Sequence, residues 1–241
     1  MSETKKYGIA SYGRPKCATI DTLTRSGVTA ENIYVSLQKE DQLREYKAIH
    51  PNVNYICRDA DCAAGNRNTL IDAVGAPLIL LDDDITSFAV KENDSNFKRV
   101  NDFSVFERAI DKAIDQAVLN RCSVVGIAAT TNDLVARGRD EYSYDVLLQG
   151  SFLVLLADNL KFDEKWKMVE DYELSLRAIL CGHTLRANYI SAYKPKNGTN
   201  SGGLHERYVN GELPLWIERL SKVYPMFVPN KSKLGGRVRF G

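Results

Sequence analysis

The feature that most constrains this chain is a regular alternation of short apolar segments with helical ones. Segments rich in β-branched, aromatic and other apolar residues stand at 7–11, 32–37, 53–57 and 78–81, and helical patterns separate them at 19–26, 41–49 and 66–74. Such alternation predicts an α/β protein whose mostly parallel sheet carries helices on both faces. The fourth segment, LILL, is apolar at every position, which is typical of a central strand.

The second half of the chain continues the alternation less regularly. Helical patterns occupy 105–120, 170–181 and 215–223, and strand-like segments lie at 123–129, within 147–156 and at 184–191. Gly75 and Gly182 each follow a helical pattern and are expected to end it. The polar stretches 91–102 and 131–145 are interpreted as connections. A chain of 241 residues suits one such domain.

Composition excludes some classes of protein. The formal net charge is +1, so any surface for an acidic partner must be local. No apolar run reaches the about 18 residues of a membrane-spanning helix. The five cysteines are scattered and lack the short spacing of a zinc site. Reduced thiols in the cytoplasm are therefore expected.

Three aspartates follow the LILL segment directly, at 82–84. In a parallel α/β sheet this position is the carboxyl edge, where ligands bind. Alternate side chains of an extended chain share a side, so Asp82 and Asp84 are expected to converge. A Mg²⁺ or Mn²⁺ would remove the repulsion between them and take its other ligands from phosphate oxygens. The alternative is an acidic turn in which Asp84 caps a short helix.

Four motifs, taken in order, resemble the GT-A glycosyltransferases, particularly the inverting group typified by family 2. They are SYGRP after the first strand, GNRNTLIDAVG before the fourth, the aspartates, and FDEKWKMVEDYELSLRAILCGHTLRAN at 162–188. The resemblance implies a GT-A (nucleotide-diphospho-sugar transferase) fold, Rossmann-like with a mostly parallel sheet. It also implies one domain over 1–241, with a nucleotide-sugar half at 7–120, an acceptor half at 121–193 and a basic segment at 194–241.

The resemblance implies a role for each matched residue on the donor side. A UDP-sugar and Mn²⁺ or Mg²⁺ would be bound there. Two carboxylates and a histidine from the C-terminal part would hold the metal: Asp82, Asp84 and His205. The alternative for His205 is a plain loop histidine. The nucleotide-sugar would contact Ser11, Tyr12, Arg14, Gln38, Arg67, Asn68, Asp82 and Asp83. Gln38 stands where the group often has an acidic residue, so that position departs from the pattern.

On the acceptor side, the resemblance implies that Asp171 in VEDYE is the general base. Its place at a helix N-terminus predicts a low pKa through the helix dipole. The alternative is that Glu170 and Asp171 only stabilise the start of the helix. The acceptor would contact Trp166, Glu170, Arg137 and Arg139, with apolar packing as the alternative for Trp166.

The acceptor itself is suggested by the basic end of the chain. After Glu218 there is no acidic residue, whereas lysines and arginines stand among Tyr224, Phe227 and Phe240. Such a segment suits phosphate contacts and base stacking, and the alternative is a solvated terminus. The chain also resembles the phage-encoded, TET-associated glycosyltransferases, which implies a hydroxymethylated pyrimidine in phage DNA, such as 5-hydroxymethylcytosine, as acceptor and the host cytoplasm as location.

Three other functions stay open. The same enzyme class could act on a lipid-linked or surface glycan. A sugar nucleotidyltransferase shares the general fold, although SYGRP lacks the Gly-rich loop that such enzymes usually carry after the first strand. A module that only binds nucleotide-sugar or nucleic acid would need no base at Asp171.

Overall fold

A computed structural model describes residues 4–91, 96–100, 102–128, 140–193, 207, 209–232 and 235–240. The strands are β1 (Lys6–Ser11), β2 (Ile33–Leu37), β3 (Asn54–Cys57), β4 (Leu78–Asp82), β5 (Ser87–Lys91), β6 (Phe97–Arg99), β7 (Cys122–Ala128), β8 (Tyr142–Tyr144), β9 (Phe152–Leu155), β10 (His183–Tyr193), β11 (Phe227–Pro229) and β12 (Gly236–Val238). The helices are α1 (Ala18–Arg25), α2 (Leu43–Ile49), α3 (Ala63–Val74), α4 (Phe103–Leu119), α5 (Glu170–Cys181) and α6 (Leu213–Val223). Short 3₁₀ turns precede β2 and α2.

One large mixed sheet organises the chain. Its order is β3-β2-β1-β4-β9-β7-β10-β5-β6, with β8 paired to β10. The first four strands are parallel to one another. Because β9 is antiparallel to both β4 and β7, β7 and β10 run in the same direction as β4. The arrangement is α/β, mostly parallel and compatible with a Rossmann-like fold.

The two faces of the sheet are covered by different helices. Ile79 and Leu81 of β4 point into a cluster with Phe106 of α4 and Ile20 of α1. Leu78 and Leu80 point into the opposite cluster, with residues of α3 and α5. The alternation follows from the two-residue period of a strand. The prediction that this segment is buried on both faces is confirmed.

A third apolar cluster joins α5 to the C-terminal part of the chain. Trp166, Met168 and Leu176 pack there with Ile217, Leu220 and Phe227 of α6 and β11. The buried carboxylate of Glu173 accepts a hydrogen bond from Tyr224 Oη at 2.7 Å. The last strands therefore lie against the helix that begins at Glu170.

The predicted elements are confirmed to within a few residues, but the sheet holds strands that the pattern missed. β5 precedes the stretch at 91–102 that was interpreted as a connection, β6 lies within that stretch, and β8 lies within 131–145. β5 and β8 pair antiparallel with β10, and β6 pairs antiparallel with β5.

Among the described residues, none of the helices combines the length and the apolar character that a membrane span requires.

Candidate functional site

The candidate site lies at the carboxyl edge of β1 and β4, which are adjacent and parallel. SYGRP follows β1, and the acidic turn, residues 82–84, ends β4. The antiparallel direction of β9 brings its start to the same edge, where Asp82 N–H donates to Ser151 O at 3.1 Å. Segments distant in sequence therefore meet here.

Asp83 is 5% exposed and is held at both oxygens. Ser11 Oγ donates to Asp83 Oδ2 at 2.6 Å, and Arg14 Nη1 lies 2.7 Å from Oδ1. Because the Ser11 proton is used in that bond, the Tyr46 hydroxyl, which lies 2.7 Å from Ser11 Oγ, must be the donor to it. The same Tyr46 oxygen accepts a hydrogen bond from the Arg14 backbone N–H at 2.8 Å. Burial raises the pKa of Asp83, and Arg14 and Ser11 partly offset that rise.

The start of α1 fixes the backbone of the acidic turn. Thr19 Oγ1 donates to Asp82 O at 2.6 Å and accepts from Ile85 N at 2.9 Å, while Thr19 N–H donates to Asp83 O at 3.3 Å. These bonds occupy backbone groups that a helix start and a tight turn otherwise leave unpaired. The backbone positions from which the three aspartate side chains project are consequently held by α1.

Arg67 joins the acidic turn to the Glu-Asp pair. Its Nη1 donates to Glu170 Oε1 at 2.6 Å, and its Nη2 donates to Asp82 Oδ1 at 3.1 Å and to Gly150 O at 3.2 Å. Burial alone would lower the pKa of Arg67, but the charges of Glu170, Asp82 and Asp171 raise it. A buried guanidinium keeps its charge here because carboxylates surround it.

Asp171 lies beside this network at the first turn of α5. Its Oδ2 accepts from Gly150 N–H and its Oδ1 from Tyr172 N–H, each at 2.8 Å. Burial, together with the charge of Glu170, raises the pKa of Asp171 to about 7. The prediction of a low pKa was wrong, because desolvation outweighs the helix terminus and the two N–H donors.

Glu170 is the other half of the pair. It is 4% exposed, and its Oε2 has no hydrogen-bond partner among the residues described.

Gly150 lies against the guanidinium of Arg67: a Cβ at this position would lie 2.9 Å from Arg67 Nη2. A side chain at this position would force the guanidinium to shift, because Arg67 packs directly against the backbone.

The remaining predicted residues have varied surroundings. Asn68 holds the segment that leads to α5, because it donates to Phe162 O and Glu164 Oε1 and accepts from Phe162 N–H. Trp166 is 5% exposed and packs in the third cluster with Trp216, which supports its packing alternative. Tyr12 and Gln38 are half-buried after β1 and β2. The substrate contacts of all four stay predictions.

The acidic turn suits a divalent cation in part. The side chains of Asp82 and Asp84 are 29% and 21% exposed, whereas that of Asp83 is turned inward. Both carboxylates are partly engaged, because Asp82 Oδ1 accepts a hydrogen bond from Arg67 Nη2 and Asp84 Oδ2 lies 3.8 Å from Arg14 Nη1. Carboxylate oxygens are nevertheless the hard donors that Mg²⁺ and Mn²⁺ take when phosphate supplies other ligands. Within the described ranges, no three His, Cys, Asp or Glu side chains are grouped as a metal site.

Some predicted residues lie outside the described residues, and some described ones were not foreseen. His205, Arg137 and Arg139 belong to the first group. Tyr46, Thr19 and Gly150 belong to the second. The sequence contains one indication of Tyr46, because it is a lone aromatic residue on a polar helix. Gly150 left none, because only the pairing of β9 brings it to the site.

Comparison of the sequence with protein-family models and with curated proteins finds no match in either. The site is accordingly interpreted from its own residues. The predicted Ser11, Arg14, Arg67, Asp82, Asp83, Asp84, Glu170 and Asp171 lie together at one edge of the sheet.

Proposed function

We propose that this chain is a metal-dependent, inverting glycosyltransferase of the GT-A type. It would move a sugar from a UDP-sugar to an acceptor hydroxyl, and the acceptor would be a 5-hydroxymethyl pyrimidine in DNA. The observation that carries the proposal is the buried Arg67 bridge, which holds Glu170 and Asp82 at 2.6 Å and 3.1 Å. It supports a site in which Asp171, the proposed proton acceptor next to Glu170, lies near Asp82, a proposed ligand of the metal that would bind the diphosphate.

In the proposed reaction the acceptor oxygen forms a bond to the anomeric carbon of the donor. The bond from that carbon to the diphosphate oxygen breaks, and UDP leaves with the electron pair. Asp171 takes the proton that the acceptor hydroxyl loses. A single displacement of this kind inverts the configuration at the anomeric carbon. A base with a pKa of about 7 suits this step near neutral pH.

Other residues of the site have supporting roles in the proposal. Arg14, next to Asp83 and Asp84, provides positive charge for the donor phosphates. A Mn²⁺ or Mg²⁺ held by Asp82 and Asp84 would neutralise the charge that develops on the leaving diphosphate. Gly150 and Tyr172 donate backbone N–H bonds that orient the Asp171 carboxylate.

The test separates donor binding from transfer. Purified protein receives a series of UDP-sugars, Mn²⁺ and 5-hydroxymethylcytosine DNA, and base masses are measured after digestion. Asp171→Asn should reduce transfer at least about 100-fold, the usual contribution of a general base. UDP-sugar affinity should change little, because Asp171 is not proposed to contact the donor phosphates.

Asp115→Asn, on the exposed side of α4, is the matched control and should leave both readouts unchanged. Turnover that survives Asp171→Asn would remove that residue as the base. Base masses unchanged with every donor would remove the DNA acceptor, and transfer to a saccharide without DNA would favour the glycan alternative.

A further inference from the structure

We infer that the basic hairpin, strands β11 and β12 with the following Arg239 and Phe240, holds the phosphate backbone of a nucleic-acid strand. The inference rests on the proposed function for its place in a reaction. Its test uses binding alone, so that the two can fail separately.

Charge is the first observation. From Arg219 to the last residue the chain has six lysines and arginines and no aspartate or glutamate, although the whole chain has a formal net charge of only +1. Glu218, directly before them, pairs with Lys222 at 2.9 Å and so offsets one of these six charges. Positive charge is therefore concentrated in this part of the chain.

The strand pattern directs that charge outward. Val238 packs into the third apolar cluster, whereas Arg237 and Arg239, on either side of it, are exposed. This alternation is the period of a β-strand with one buried face. Phe240 is 61% exposed and adds an aromatic surface next to the arginines. Guanidinium groups bind phosphate, and exposed aromatic rings stack on bases of any sequence.

The position of the hairpin connects it to the site. The rings of Phe227 and Tyr172 lie 6.5 Å apart, and a Cβ on Gly235 would lie 3.6 Å from Tyr172 Oη. Tyr172 directly follows Asp171. The bond from Tyr224 to Glu173 holds the same segment to α5. A strand on Arg237 and Arg239 would thus run beside the helix start that carries the proposed base, where an unstacked base could enter.

The experiment measures the anisotropy of a labelled single-stranded oligonucleotide without donor and with EDTA. The test variant is Arg237→Gln with Arg239→Gln, and both side chains are exposed, so folding should be unaffected. Each lost phosphate contact removes a slope of about 0.7 in log K against log salt concentration. We expect the slope to fall by about 1.4 and affinity in about 0.1 M salt to fall about 25-fold.

The matched control is Arg108→Gln with Arg121→Gln, two exposed arginines on α4 and just before β7, with the same change of charge. It should bind as the wild type does. Phe240→Ala should weaken binding about five-fold or more with little change in slope. Thermal unfolding of all variants checks that they fold.

Equal loss of oligonucleotide affinity in the test and control variants would overturn the inference. It would mean that binding depends on the total charge of the protein and not on the hairpin. Stronger binding to vesicles of anionic phospholipid than to the oligonucleotide would also overturn it. If oligonucleotide binding behaves as expected but no UDP-sugar is turned over, the hairpin inference stands and the proposed function fails.

Discussion

Arg67 shows how one residue can determine the geometry of the site. It is 7% exposed, and it bonds to Glu170, Asp82 and the backbone of Gly150. Loss of Arg67 would leave buried carboxylates without a counter-charge. The free-energy cost of such uncompensated charges is larger than the stabilisation that the intact ion pair provides. Buried ion pairs of this kind are consequently better evidence of a specific geometry than of stability.

Gly150→Ala tests how closely the backbone approaches this guanidinium. The added Cβ would lie 2.9 Å from Arg67 Nη2, so the side chain must move and its bonds to Asp82 and Glu170 must lengthen. We expect unfolding free energy to fall by about 1–3 kcal/mol and transfer activity to fall with it. Gly235→Ala is the control for the loss of a glycine, since its Cβ would meet atoms only at 3.6 Å. Equal stabilities of the two variants in urea would contradict the prediction.

Asp171 should make stability depend on pH. Its folded pKa of about 7 is above the ordinary 3.8, so the folded state holds the proton more tightly than the unfolded chain does. Wild-type stability relative to Asp171→Asn is therefore greatest below pH 4 and is lost as the pH rises to about 7.

Urea unfolding of both proteins at several pH values, with EDTA present, measures this difference. Between about pH 4.5 and 8 we expect a relative loss of about 2–3 kcal/mol. Asp115→Asn, which removes an exposed carboxylate, is the control for the change of charge. A difference between wild type and Asp171→Asn that does not vary with pH would show that burial does not shift this carboxyl group.

At the scale of elements, α5 has two tasks. Its first turn carries Glu170 and Asp171 and also Glu173, which anchors the C-terminal part of the chain. Glu173 also receives two bonds from Arg177, each at 3.0 Å. One helix thus positions both the candidate base and the hairpin beside it.

Tyr224→Phe should loosen that attachment. The variant removes the 2.7 Å bond to Glu173 and leaves the ring in place, so we expect a loss of about 1–2 kcal/mol in unfolding free energy. The substitution should make amide hydrogen exchange in α6 faster and leave exchange in α3 unchanged. Tyr144→Phe is the control, because its hydroxyl bond from Gln116 is exposed and should contribute little. Equal exchange rates in α6 before and after the change would contradict this role.

For the whole molecule, the sheet and its two covered faces decide stability. Phe106 is fully buried and stacks on Phe88 with ring centres 4.1 Å apart, edge-on to Phe152 of β9. This contact joins α4 to strands from both halves of the chain.

Phe106→Ala should lower the free energy of unfolding by about 3–5 kcal/mol, because it leaves a cavity in this cluster. Leu119→Ala, at a position that is 77% exposed, should change it by less than about 0.5 kcal/mol. Urea denaturation measures both. Similar effects of the two substitutions would mean that α4 does not pack on the sheet as described.

The site was predictable where a residue directly follows a strand or opens a helix. Ser11, Asp82 and Glu170 are such residues, because the carboxyl ends of parallel strands meet at one edge whatever the connections do. Thr19 and Gly150 were not predictable, and the only indication of Tyr46 was that it is a lone aromatic residue on a polar helix. Their places depend on pairings between segments far apart in sequence, which local pattern does not contain.

The sequence by itself determined the alternation of strands and helices, the buried fourth strand and the position of the acidic turn, because periodicity and burial are local properties. Tertiary structure alone decided that β9 enters antiparallel between β4 and β7, that Arg67 binds Glu170 and Asp82, and that the pKa of Asp171 is raised. The physical reason is that desolvation and ion pairing depend on which distant groups become neighbours.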